Sequence, residues 1–259
     1  MTERLVIGNG AISGAMNRFL NARVIGRPEL DIRDPFTFPV ATKNDAYAII
    51  TGAVTSIEMC ERYPEWSHSV NVTATLDVAQ KLFDAGWRVV LLSSSAAIDG
   101  NTVYGQQKRL LEYRWGYGPI LRLPKVLHAE IPVIENWLGF IRRQERVPGV
   151  FDTTLIQPIG LSDTVNAIDC VSTRSGCFEA AGFDCTWLDV ALQLSRRIAS
   201  NCVIQHARGK HQHALMNADK LVEVGWNRPP LSRVIDELLV DASRLGLLIG
   251  QTVLPAPVA

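Results

Sequence analysis

Residues 4–16 read RLVIGNGAISGAM: a short apolar run ends at Gly8 and Gly10 and passes straight into an amphipathic segment. Apolar run, glycine turn and helical pattern, in that order, mark a parallel strand feeding a crossover helix. Glycine at such a turn lets backbone N–H groups and the helix N-terminus approach a pyrophosphate, because no Cβ stands in the way. Gly8, Gly10, Ala11 and Ile12 are therefore candidate dinucleotide contacts. Ser13 stands where a third glycine usually serves close helix–strand packing, and serine is small enough to fit. A lone glycine match is weak, and its place at the start of an alternating strand–helix pattern is what strengthens it.

That pattern continues. ARVIG, DAYAIITGA and WRVVLLSS read as strands, while AISGAMNRFLNA and VNVTATLDVAQKLFDAG read as helices, the second stopped by Gly86. After residue 108 come a helix end (RLLEYRW), a strand (PILRL) and helical patterns near 132–145, 162–173, 186–199 and 232–248. The expected fold class is α/β: a Rossmann-type doubly wound parallel sheet over residues 1–125 as the dinucleotide-binding core. A mixed region follows over 126–250 with a smaller α/β substrate-binding part, and 251–259 form a flexible tail. At the end of the second strand, Gly26 and Arg27 replace the acidic residue that would hold a ribose 2′-hydroxyl. Arg27 favours a 2′-phosphate, hence NADP(H) over NAD(H).

The 26 basic and 26 acidic residues are evenly spread, which leaves no footprint for nucleic acid and points to a small-molecule partner. No apolar stretch approaches the ~18 residues of a membrane span, and the N-terminal run is too brief for a signal peptide. Five cysteines without CxxC spacing read as free thiols in a reducing cytoplasm. His128, His206, His211 and His213 lack the spacing of a helical metal-binding pair, so no metal site is expected. Tyr104 and Lys108 lie four apart. On a helix they share a face, where the lysine charge would favour the phenolate and draw the tyrosine's proton affinity toward neutrality.

LVIGNGAISGAM, LDIRD, AIITGA, SVNVTATLDVA, VVLLSSSAAIDG, YGQQKRLLE, PILRLPKVLH and LIQPIGLSDTVNAI with GCFEAAG follow one another along the chain. In that order they resemble the extended short-chain dehydrogenases/reductases of the NAD-dependent epimerase/dehydratase superfamily, in the sugar-nucleotide branch that includes dTDP-4-dehydrorhamnose reductase. The resemblance implies adenine contacts at Asp31 and Ile32 and cofactor contacts at Thr51, Gly52, Ala53, Ser93 and Leu123. It also implies a supporting role at the site for Asn71. Tyr104 and Lys108 become catalytic, with a strand-end serine, Ser95 by counting back from Gly100 or Ser94 by a shift of one. Lys125 and Gln157 become substrate contacts, with Arg122 a further candidate. The implied reaction is hydride transfer between NADP(H), or NAD(H), and a nucleotide-linked keto-sugar, with a place in surface-polysaccharide synthesis.

Ala96 and Ala97 stand where a 4,6-dehydratase carries an acidic pair, and no cysteine occurs between Cys60 and Cys170 where an epimerising reductase needs one. Carbonyl reduction fits best; a 4-epimerase, or a catalytically inactive cofactor-binding sensor or scaffold, stays open. So does pairing of two copies through the long helices. Ser95 and Tyr104 are only nine positions apart. Enzymes of this kind usually have a longer connection there, so a more open pocket is expected.

Overall fold

The computed structural model describes residues 2–34, 36–198, 201–209, 214–248, 251 and 253–254. In chain order the first half gives β1 (Arg4–Ile7), α1 (Ala11–Leu20), β2 (Arg23–Ile25), β3 (Tyr47–Ile50), α2 (Ile57–Arg62), α3 (Pro64–His68), a π-helical turn (Ser69–Ala74), α4 (Thr75–Asp84), β4 (Arg88–Ser94), α5 (Ala96–Asp99), α6 (Val103–Arg114) and β5 (Ile120–Leu123). The second half gives α7 (Pro132–Arg142), β6 (Val147–Phe151), β7 (Leu155–Ile156), α8 (Leu161–Val171), β8 (Cys177–Glu179), β9 (Cys185–Thr186), α9 (Trp187–Arg197), β10 (Ile204–Ala207), α10 (Asp219–Glu223) and α11 (Leu231–Arg244).

Six strands form one parallel sheet in the order β2-β1-β3-β4-β5-β8. LVI of β1, YAII of β3 and VVLL of β4 are buried throughout, as strands covered on both faces must be. β1 lies between β2 and β3, so the strand order reverses there, and ligands of open α/β sheets bind beyond the strand C-termini at that point. The connection from β2 to β3 forms neither helix nor strand among its described residues. It covers the sheet with Leu30 and Phe38, which pack with Val78, Leu82 and Trp87, and the Trp87 indole donates to the Pro39 carbonyl at 2.6 Å.

The chain divides into two units. The first comprises residues up to Leu123, Thr164–Ala180 and Met216–Asn227; the second holds Pro124–Asp163, Ala181–Leu215 and the chain from Arg228 onward. A cut at residue 125 would assign 164–180 and 216–227 to the later region. They fold with the first unit because β8 extends its sheet beside β5, and β8 in turn holds 216–227: the Glu179 carboxylate accepts from Asn217 N–H at 2.7 Å, and Lys220 donates to the Cys177 carbonyl at 2.9 Å.

The second unit packs α7, α9 and α11 around Ile134, Trp137, Leu138, Val190, Leu194, Val234 and Leu238. α9 starts where Thr186 and Asp189 form a reciprocal capping box, legible in the sequence as T-x-x-D. β6 pairs with β10 in parallel and β7 with β9 in antiparallel. In the tail, Leu254 N–H donates to the Arg197 carbonyl at 2.7 Å, and 255–259 lie outside the described residues. Among the described residues no helix is long and apolar enough to cross a membrane.

Candidate active site

The glycine turn sits at the sheet's reversal point. Gly8 has φ +132°, and a Cβ there would stand 2.3 Å from Thr51 Oγ1 and 2.8 Å from Gly52 N, so no other residue fits. Gly26 is equally confined, its Cβ position lying 2.8 Å from the Gly8 carbonyl carbon. Gly10 caps α1 without offering a side-chain acceptor. The N–H groups of Ala11, Ile12 and Ser13 therefore have no partner within the helix, which is the donor set an anion needs. The Ser13 hydroxyl meets Thr51 Oγ1 at 2.7 Å, so the departure at the third glycine position ties α1 to the end of β3. Ile32 lies beside Gly52, with a Cβ on that glycine only 3.5 Å from Ile32 Cγ2. These residues fit a dinucleotide: Gly8, Gly10, Ala11 and Ile12 at its pyrophosphate, Ile32, Thr51 and Gly52 along its length.

Arg27 is not a free cation. It donates to Asp31 at 2.7 Å, and Arg33, which sequence reasoning passed over, donates to the same carboxylate from Nε at 3.0 Å and from a terminal nitrogen at 2.8 Å. These bonds, chiefly from Arg33, hold the Asp31 carboxyl far below the usual carboxylate range. Two guanidinium groups on one carboxylate leave a net positive group, and both remain accessible, at 67% for Arg27 and 42% for Arg33. The signal for Arg33 was its place two residues after Asp31, where its side chain can fold back on the carboxylate.

At the C-terminal end of β4 the two serines take different places. The Ser94 side chain faces the Tyr104 hydroxyl closely enough to lower its proton affinity. Ser95 instead caps the single turn α5, its N–H donating to the Leu123 carbonyl at 3.0 Å. Ser94, the last residue of β4, is thus the serine beside the tyrosine, while Ser95 stands between the strand end and the start of α5 at Ala96. The short connection does not keep serine and tyrosine apart. α5 closes on Gly100 in the left-handed region (φ +64°), and Thr102 caps α6 by accepting from Gly105 N–H at 3.0 Å, which puts Tyr104 in the first turn.

Lys108 is buried and donates to the Leu92 carbonyl at 2.9 Å, with its Nζ 5.8 Å from the Tyr104 ring centre. The expected depression of the tyrosine's pKa is not what the protein alone shows. Burial pushes Tyr104 up to about 12 against the opposing pull of the Ser94 side chain, and burial lowers Lys108 to about 8 against the opposing charge of Glu112. The ammonium is engaged by a carbonyl rather than by the phenol, so it does not offset the desolvation of the tyrosine.

Ser93, expected at the cofactor, gives its hydroxyl to Glu112 at 2.5 Å. Arg122, considered for the substrate, grips Glu112 at 2.9 and 2.6 Å and Glu179 at 2.8 Å, which fastens α6, β5 and β8 together. Asn71 is buried in the π-helical turn and bonded to both the N–H and the carbonyl of Val54. Leu123 is buried at the end of β5, and Ala53 is half-buried beyond β3. Lys125 and Gln157 belong to the second unit, where the Gln157 amide donates to Asp184 at 3.0 Å. His206 stands 3.7 Å from Asp152, and His211 and His213 lie outside the described residues.

No family model matches the chain, and no curated protein sequence does. Solved structures do. The dTDP-4-dehydrorhamnose reductase of Bacillus anthracis in complex with NADP superposes with a TM-score of 0.79 at 14% identity, over 93% of this chain and 98% of that one. The UDP-N-acetylglucosamine 4-epimerase of Methanobrevibacter ruminantium in complex with UDP-N-acetylmuramic acid gives 0.75 at 15%, over 92% and 98%. The L-threonine 3-dehydrogenase of Trypanosoma brucei gives 0.71 at 17%, over 98% and 100%. The chain shares the Rossmann-type fold of all three along almost its whole length.

Proposed function

We propose that this protein is an NADPH-dependent reductase of a nucleotide-linked keto-sugar. The observation that carries the reading is buried Lys108, its Nζ 5.8 Å from the Tyr104 ring centre, with Ser94 facing Tyr104 from the strand end, at the same end of the sheet as the N-terminus of α1. A bound nicotinamide would supply the hydride. Ser94 would orient the substrate carbonyl oxygen by donating to it, and Tyr104 would deliver its hydroxyl proton to that oxygen as negative charge develops there. Lys108 would hold a positive charge near the phenol. The fold shared with proteins solved with NADP and with a UDP-sugar supports this reading. So do Ala96 and Ala97, which offer no acid or base for dehydration. We place the protein in the cytoplasm, in keeping with its five free cysteines, and retain pairing of two copies, supported by exposed Phe83 on α4 and Tyr113 on α6.

The test is to mix pure protein, NADPH and a panel of nucleotide-linked 4-keto-sugars, including dTDP-4-keto-6-deoxyglucose, and to follow the nicotinamide absorbance. Oxidation that depends on the sugar supports the reading. Interconversion of sugars without net oxidation would make the protein an epimerase, and dinucleotide binding without turnover on any sugar would make it a binding protein.

Two substitutions sharpen the assignment. Ser94→Ala is expected to lower kcat about a hundredfold, the usual loss for one donor to a developing oxyanion, and Ser95→Ala to change it less than about threefold. Equal losses in the two variants would remove the distinction made at the strand end. Arg27→Ala and Arg33→Ala are each expected to raise KM for NADPH about tenfold and leave KM for NADH within about twofold, as charge-assisted bonds to a 2′-phosphate require. An unchanged NADPH/NADH ratio would take both arginines out of cofactor selection.

A further inference from the structure

Gln107 lies one residue before Lys108 on α6, and its side chain is buried among groups that the reaction does not use. Its Nε2 donates to Ser67 Oγ at 2.8 Å and to the Pro64 carbonyl at 3.3 Å, both on α3, while its Oε1 accepts from Asn71 Nδ2 at 2.8 Å. Asn71 then closes on the backbone of one residue, Val54, engaging the two peptide units that flank it: Nδ2 donates to the Val54 carbonyl at 2.9 Å and Oδ1 accepts from Val54 N–H at 2.8 Å. The π-helical turn carrying Asn71 is a form that recurs at functional sites. The relay is directional. The amide accepts from Asn71 at one end and donates to Ser67 and Pro64 at the other; an apolar side chain would leave the Asn71 N–H short of its partner in a buried place.

We propose that Gln107 is a positioning residue: by holding Asn71 it fixes the backbone on both sides of Val54, and with it the loop 51–56, relative to Tyr104 and Lys108 on the same helix. This rests on the reductase reading of the site. The consequence is geometric. The loop that sets Thr51 and Gly52 against Gly8 is anchored on α6 itself, so the glycine turn and the proton donor share one strut.

Wild type, Gln107→Leu, Asn71→Ala and the double variant form a cycle with two readouts. In hydrogen exchange, Gln107→Leu is expected to speed the Val54 amide about tenfold, Asn71→Ala to do at least as much, and the double variant to add nothing beyond Asn71→Ala. In turnover, Gln107→Leu is expected to lower kcat about tenfold with KM for the keto-sugar within about twofold, again with no further loss in the double variant. Unchanged Val54 exchange in Gln107→Leu, or effects that simply add, would overturn the strut. If wild type turns over no keto-sugar, the reductase reading falls and the exchange data decide the strut alone. Should Gln107→Leu fail to fold, Gln107→Glu still offers Asn71 an acceptor. Val54 exchange is then expected to stay near wild type, and exchange as fast as in Asn71→Ala would count against the proposal.

Discussion

Tyr104→Phe is expected to lower kcat about a thousandfold, within the range for loss of a positioned proton donor, while NADPH affinity stays within about twofold. The substitution removes one oxygen and keeps the ring, so the packing of α6 is preserved and the loss can be read as chemistry. Tyr104 pushed up to about 12 remains a phenol throughout the neutral range, the state from which a proton can be given to an alkoxide. Lys108 behaves differently. Its pKa is lowered from 10.5 to about 8, so its ammonium is present below that pH and lost as pH rises through it. If the charge on Lys108 assists proton release from Tyr104, kcat should fall on the alkaline side with a midpoint near pH 8, and Lys108→Met should abolish that limb together with most of the rate. An alkaline midpoint near that of an ordinary lysine would show that burial does not set the charge of Lys108. Tyr104→Phe activity close to wild type would sink the assignment of the proton donor.

Why the pair could be located from sequence, and its proton affinities could not, follows from the distance over which each property is decided. Tyr104 and Lys108 share a helix, and their spacing alone brings them to one face. Gly8 was legible for the same reason, since a turn between strand and helix is written in adjacent residues. The proton affinities depend on burial by surrounding elements and, for Tyr104, on Ser94 of β4, neither of which spacing encodes. Ser94 against Ser95 was undecidable locally, because the outcome rests on where α5 starts relative to the strand end. Arg33 escaped notice because its role comes from folding back on Asp31. In the fold, buried runs such as VVLL announced their strands, whereas three-residue β8 and the short helices α2 and α3 have too few residues to show a period. The return of 164–180 and 216–227 to the first unit is a tertiary choice, made when β8 pairs with β5.

The short link between Ser94 and Tyr104 makes Gly105 a sensitive position for the geometry of the reacting groups. A Cβ on Gly105 would stand 2.3 Å from the Ala96 carbonyl oxygen and 3.1 Å from its carbon, so α5 and α6 touch backbone to backbone there. The obstacle is main chain, which cannot swing aside as a side-chain tip can. Gly105→Ala would therefore have to push α5 away from α6, and α5 begins two residues after Ser94 while Tyr104 directly precedes Gly105. Overpacking of this kind costs about 1–3 kcal/mol, partly offset by the ~0.5–1 kcal/mol that alanine gains over glycine inside a helix, so the protein is expected to remain folded. Catalysis is less forgiving, since a displacement of about 1 Å between reacting groups can cost about a hundredfold in rate. Gly105→Ala is expected to reduce kcat by that factor, with dinucleotide affinity little changed because it is α5 that gives way, while α6 keeps its anchor on loop 51–56 through Gln107 and Asn71. Circular dichroism on heating and dinucleotide titration separate this outcome from unfolding. A folded Gly105→Ala variant with wild-type kcat would mean that the Ser94–Tyr104 contact tolerates a shift of the single turn between them, and the serine would then lose its assigned part in the reaction.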